Sequence, residues 1–253
     1  MQGIARLALR IATVSLGALA MAWGAATLPR FWRELPVTQL AARITEGEQF
    51  RQADLLAHSP NLATIAQTWP CRGAALHSVA VIRLRLFEET VAAGEVAAID
   101  ERADAARESV RASLSCSPAD SFLWLALFSL ESARGGFKDE YLRYLRMSYQ
   151  LGPHEGWVML RRNRIALSIF ERLPDDMAER AISEFVELVA NRFSFAAADL
   201  LTGPGWRLHE KLLERIMDVA QRDREALAEA LAVKGRDDVT VPGVKLKTRE
   251  PGR

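Results

Sequence analysis

Nineteen consecutive residues without a charge, Ile11 to Pro29, stand between Arg6 and Arg10 on one side and Arg30 and Arg33 on the other. At about 1.5 Å per residue the run makes a helix roughly 28 Å long, close to the hydrocarbon thickness of a bilayer. Trp23, Phe31 and Trp32 fall where amphipathic rings favour a membrane–water interface. The run predicts a retained transmembrane anchor over 11–29, preceded by a short basic N-terminus over 1–10. A cleaved signal peptide is the competing reading, because Ala20-Met21-Ala22 and Gly24-Ala25-Ala26 place small residues at cleavage-like spacing. A buried helix of a soluble domain fits least, given the bracketing arginines.

The flanking positive charges are nearly balanced, so they do not orient the span on their own. The two cysteines add to the argument. In an oxidising periplasm Cys71 and Cys116, 45 residues apart, form a possible disulfide worth about 3–4 kcal/mol in the chain-entropy model. Two independent buried thiols are the alternative, since free cysteine packs well as a small hydrophobe. Export is the better reading: an inner-membrane, single-pass protein with the bulk of its domain in the periplasm, or a periplasmic protein after signal cleavage.

Beyond the anchor, residues 30–47 read as a juxtamembrane connector punctuated by Pro29, Pro36 and Gly47. Residues 48–235 read as one helical domain. Alanine supplies 40 of 253 residues and β-branched runs are scarce, which favours helix over strand. Helix breaks recur at Ser59-Pro60-Asn61, Trp69-Pro70-Cys71, Gly94, Ser117-Pro118, Gly135-Gly136, Gly152-Pro153, Leu173-Pro174 and Gly203-Pro204-Gly205. Between them apolar residues return at three- and four-residue spacing, as in Leu123, Leu127 and Leu130. The class is all-α. The stretch from Val239 to Arg253 contains Pro and Gly and is basic, so 236–253 is expected to be a flexible tail.

The breaks also carry a period. Cys116-Ser117-Pro118-Ala119-Asp120 aligns on Leu151-Gly152-Pro153-His154-Glu155 at an offset of 35 residues. Residues 74–190 thereby resemble three degenerate helix-turn-helix repeats of the tetratricopeptide (TPR) type, pairing 74–93 with 97–115, 119–133 with 137–151, and 155–171 with 175–191. The resemblance implies antiparallel helix pairs stacked as a short solenoid, with residues 206–235 as two capping helices. An irregular helical bundle is the alternative. Such arrays offer an extended concave face for peptide or protein docking.

Catalytic signatures are scarce. His58, His77, His154 and His209 are scattered, with no metal-ligand spacing, and neither cysteine sits in a Cys-x-x-Cys motif. No phosphate-cradling loop, dinucleotide fingerprint or nucleophile elbow occurs, and no cofactor is expected. Glu131-Ser132 resembles the Glu-Ser pair of lytic transglycosylases, which makes a peptidoglycan-active enzyme a remote alternative. The Gly-Leu-Met-Gln element that should follow is replaced by Ala133-Arg134-Gly135-Gly136.

Charge gives the most binding content. The whole chain carries 33 basic and 32 acidic side chains, a net +1 that argues against a nucleic-acid partner. Within 141–172, however, six arginines face Glu155 and Glu171 alone. Arg143 and Arg146 are three apart on one helix, and Arg161 and Arg164 on the next, so each pair shares a face. With Tyr144, Arg162 and Asn163 they form a candidate patch for a carboxylate or phosphate, to which planar guanidinium groups are suited. A solvated arginine face over an aromatic core is the competing reading. The expected function is a non-catalytic membrane-anchored scaffold or adaptor of the bacterial-type cell envelope, with protein partners there. Polysaccharide assembly or export is a possible setting, and a binding module for an acidic glycan is the alternative.

Overall fold

The computed structural model describes residues 2–67 and 71–244, and 79% of the chain is helical, with no strand among the described residues. The chain divides into two compact units, residues 1–118 and 119–253, where the sequence suggests one helical domain from 48.

In the first unit, α1 (Gln2–Thr45) is a single helix that runs through Pro29 and Pro36. Each proline removes one intrahelical N–H, which is why a break is expected there. Around Pro36 tertiary burial compensates for this: Glu34, Val37, Leu40 and Ala41 form a buried stripe along the last turns of α1. The expected connector is therefore a helical continuation of the apolar stretch, docked on the unit. The receiving helix is α4 (Gly73–Ala92), which follows the short α2 (Gln52–Leu56) and α3 (Ser59–Ala66). Helix α4 is buried on most sides, from Ala75 to Leu86, because α1, α2, α3 and α5 (Val96–Cys116) all pack on it. Gly94, at φ +69°, makes the tight turn that sends α5 back along α4. Cys71 and Cys116 are joined as a disulfide, Cα to Cα 5.8 Å, across the open end of this hairpin.

In the second unit, α6 (Ser121–Gly135) pairs with α7 (Leu142–Leu151), and α8 (Gly156–Ser168) with α9 (Asp175–Ala190). Asp120 caps α6 by accepting the Leu123 amide at 2.9 Å, and Gly136, at φ +71°, ends it. Gly152 is fixed by close approach: a Cβ there would lie 2.6 Å from the Ser121 Cβ and 2.9 Å from the Glu155 Cδ. The Gly-Pro break thus lets the end of α7 pack on the start of α6, as an antiparallel pair requires. Helices α6 and α8 begin 35 residues apart, at Ser121 and Gly156, whereas α4 begins 48 residues before α6. The first helix pair stands outside the spacing of the other two.

Three α-helices follow: α10 (Ser194–Thr202), which the sequence reading does not mark, and then α11 (His209–Arg215) and α12 (Gln221–Val233), the two helices expected within 206–235. They close a core around Phe185, Leu188, Leu200, Leu212, Ile216 and Leu227. The expected tail begins inside this core. Val239 and Val241 are buried, and Arg224 Nη1 donates to the Pro242 carbonyl at 2.6 Å. Burial of these two valines in the core, with the Arg224 bond, holds 239–242 down. The remainder of that tail, 245–253, lies outside the described residues.

Candidate functional site

The second unit carries a cleft of about 940 Å³ whose walls come from α6, α7 and the segment leading into α9. Trp124 projects from α6. Arg143, Tyr144 and Arg146 come from α7, and Arg172, Leu173 and Pro174 from the turn between α8 and α9. Helical spacing explains the α7 contribution, since residues three apart lie on one face. Tyr144 is buried and lies between Trp124 and Tyr141, with ring centroids 5.9 and 6.4 Å away and interplanar angles of 19° and 16°. Of these three rings, Trp124 and Tyr144 line the cleft.

The charges are ordered around these rings. Arg143 Nη2 donates to the Tyr144 hydroxyl at 2.9 Å, and its guanidinium sits 4.8 Å from that ring's centroid. Arg146 makes a two-bonded ion pair with Asp176 at the start of α9, which holds the Asp176 carboxyl below its ordinary range. Arg172 lies 4.2 Å from the Phe137 ring centroid. Asp139 and Glu171 also line the cleft, so its three arginines exceed its carboxylates by one. The arrangement suits an extended ligand that lays an apolar or ring face on the aromatics and an acidic group toward Arg143.

The arginine run of α8 does not join this cleft. Successive residues of a helix turn by about 100°, so Arg161, Arg162, Asn163 and Arg164 cannot share a face. Arg161 and Arg164 are exposed together, with Arg161 5.5 Å from the Phe122 ring centroid and 6.0 Å from that of Trp157. Arg162 and Asn163 point inward and are fully buried, which removes both from the expected patch.

Their place is a buried polar knot between α7, α8 and α9. Arg162 donates from Nε and Nη2 to Glu184 Oε1 at 2.9 and 2.6 Å, from Nη1 to the Ser148 carbonyl at 2.7 Å, and from Nη2 to the Gly152 carbonyl at 3.0 Å. Asn163 Nδ2 donates to the Ala181 carbonyl at 2.7 Å. Burial pushes the Glu184 carboxyl up from its ordinary 4.5 to about 7, against the opposing pull of Arg162. Sequence reasoning missed Glu184 as the partner of Arg162 and Asp176 as the partner of Arg146. Asp176 carried a signal in Pro174-Asp175-Asp176, a run of first-turn acids, but nothing local ties it to Arg146.

No grouping of three or more metal-ligating side chains occurs among the described residues. Compared with protein-family models, curated proteins and solved structures, the chain matches none.

Proposed function

We propose that the chain is a single-pass, membrane-anchored scaffold or adaptor of the cell envelope, with both units on the periplasmic side. One observation carries the reading. Helix α1 holds a 21-residue apolar stretch, Leu9–Pro29, none of which is buried against the rest of the protein. Leu16, Leu19, Met21 and Trp23 are each more than 70% exposed. Such a surface in water is unfavourable by about 25 cal/mol per Å², and a bilayer removes that cost. The Cys71–Cys116 disulfide supports an oxidising compartment. Helix pairs α6–α7 and α8–α9, begun 35 residues apart, support the TPR-like reading for that part of the chain.

The cleft is the docking site in this proposal, and a protein segment with acidic and apolar groups is its ligand. Replacing Arg143 and Arg146 together by Gln should weaken partner capture from detergent-solubilised membranes at least fivefold at low salt, and the difference from the parent should shrink as salt is raised. Both side chains sit at the surface, so helicity and melting temperature should barely move. The Arg161→Gln/Arg164→Gln protein, altered outside the cleft, should capture partners as the parent does. Equal capture by the parent and the cleft variant would reject this site.

The aromatic side of the cleft favours a second reading, a binding module for an acidic glycan, because sugar faces stack on such rings. A thermal-shift comparison of polygalacturonate with neutral dextran distinguishes the two. Stabilisation by the acidic polymer that is lost in the Arg143→Gln/Arg146→Gln protein would favour the glycan.

A further inference from the structure

The membrane-proximal end of the first unit contains a second cavity, about 420 Å³, lined by Phe31, Trp32, Glu34 and Leu35 of α1 and by Arg72 to Ala75 at the start of α4. Its position along α1 is the informative feature. Phe31 and Trp32 follow the apolar stretch by two and three residues, about 3–5 Å along the helix axis, and Leu35 by about 9 Å. The polar headgroup layer on each side of a bilayer is about 5–8 Å thick. These three side chains are 56%, 71% and 51% exposed, although they border a folded unit that buries its other large apolar groups on this helix. Because α1 continues unbroken and Glu34 and Val37 are already docked, no flexible linker separates the span from the unit.

The cavity also has a hydrogen-bond donor suited to that layer. Arg72 Nη1 donates to Glu34 Oε1 at 2.6 Å, and the guanidinium sits 4.2 Å from the Phe31 ring centroid. Its side chain remains 29% exposed, and a guanidinium carries five N–H donors, more than one carboxylate oxygen employs. The neighbouring Cys71 disulfide fixes the backbone from which Arg72 projects. Arg33 is exposed on the same turn of α1 as Trp32. Gly73, Ala74 and Ala75 give the opposite wall no side chain larger than a methyl group, which keeps the cavity open.

We propose that this cavity is seated on the bilayer surface and holds the phosphate-bearing headgroup of an anionic phospholipid, with Phe31 and Trp32 inserted at the interface and Arg72 on the phosphate. The proposal rests on the membrane-spanning reading of α1. It adds that the first unit has a fixed face toward the membrane.

The test uses the full chain in nanodiscs of mixed phosphatidylcholine and phosphatidylglycerol. A photo-crosslinking residue replaces Ala74, at the cavity wall, or Val96, 79% exposed at the far end of the α4–α5 hairpin. Position 74 should yield phospholipid adducts and position 96 none, with phosphatidylglycerol at least threefold enriched over its bulk share. In the Arg72→Gln/Glu34→Gln background, which removes both charges so that neither is left buried alone, the enrichment should fall to the bulk ratio. Membrane-retained protein with no lipid adduct at 74, or with adducts at the bulk ratio in the parent, would overturn the proposal. Release of the parent by alkaline carbonate would instead overturn the anchor on which it rests.

Discussion

Replacing Arg162 by Met is expected to cost about 3–5 kcal/mol of stability at neutral pH, the range found when one partner of a buried ion pair is removed. The change leaves the buried Glu184 carboxyl without its guanidinium, so that it must take up a proton, and deprives the Ser148 and Gly152 carbonyls of their donors. The loss should depend on pH with a definite sign. In the parent the folded Glu184 titrates near 7, above its ordinary 4.5, so the stability linked to its proton is fully present below about 4.5 and is lost as pH rises through 7. Without Arg162 the carboxyl rises further and stays protonated across that interval. The gap between variant and parent should therefore widen from pH 5 to pH 8. Urea denaturation midpoints at several pH values measure it. A double variant, Arg162→Met/Glu184→Leu, should recover a large part of the loss, because an apolar pair of similar volume needs no compensation. A single-variant cost under 1 kcal/mol would show that the knot is not holding α7, α8 and α9 together.

Loss of the disulfide is the second large effect. A bond closing 45 residues restricts the unfolded chain by about 4 kcal/mol in the chain-entropy model. The Cys71→Ser/Cys116→Ser protein should unfold at clearly lower urea than the parent, and dithiothreitol should bring the parent to the same midpoint while leaving the variant unchanged. The bond clamps the open end of the α4–α5 hairpin, where the Arg72–Glu34 ion pair also ties α4 to α1. Local opening there should accordingly appear as faster amide exchange over the first turns of α4. An unchanged midpoint on reduction would contradict the assignment.

Much of the fold was legible in local chemistry. Gly94, Gly136 and Gly152-Pro153 each mark a real turn, because a positive φ or a close approach leaves little choice of residue. Between such marks the apolar spacing reads as helix, and the pairs 119–133 with 137–151 and 155–171 with 175–191 are neighbours in the structure. Information that is not local was lost. Pro29 and Pro36 look like stops until Val37 and Leu40 are seen docked on α4. Val239 and Val241 look like a tail until the core that receives them is known.

The arginines show the same limit. Arg143 and Arg146 were readable as a shared face and do line one cleft. Arg162 and Asn163 look outward-facing in the sequence, because charge and amide ordinarily face water. Partners on other helices or at their ends, Glu184 and the Ser148, Gly152 and Ala181 carbonyls, make their burial favourable. Composition within 141–172 counts six arginines but cannot sort them, and rotation of about 100° per residue separates adjacent members of the run.

The central claim, an anchored protein whose folded units lie across the membrane, is tested most directly by topology. Alkaline carbonate extraction should leave the chain in the membrane pellet, and its mass there should include residues 1–29. Alkaline phosphatase fused after residue 40 and at the C-terminus should be active in both positions, since that enzyme requires an oxidising compartment, while fluorescent-protein fusions at the same points stay dark. Release of the chain by carbonate, or phosphatase inactive at both positions with fluorescence at both, would contradict the account.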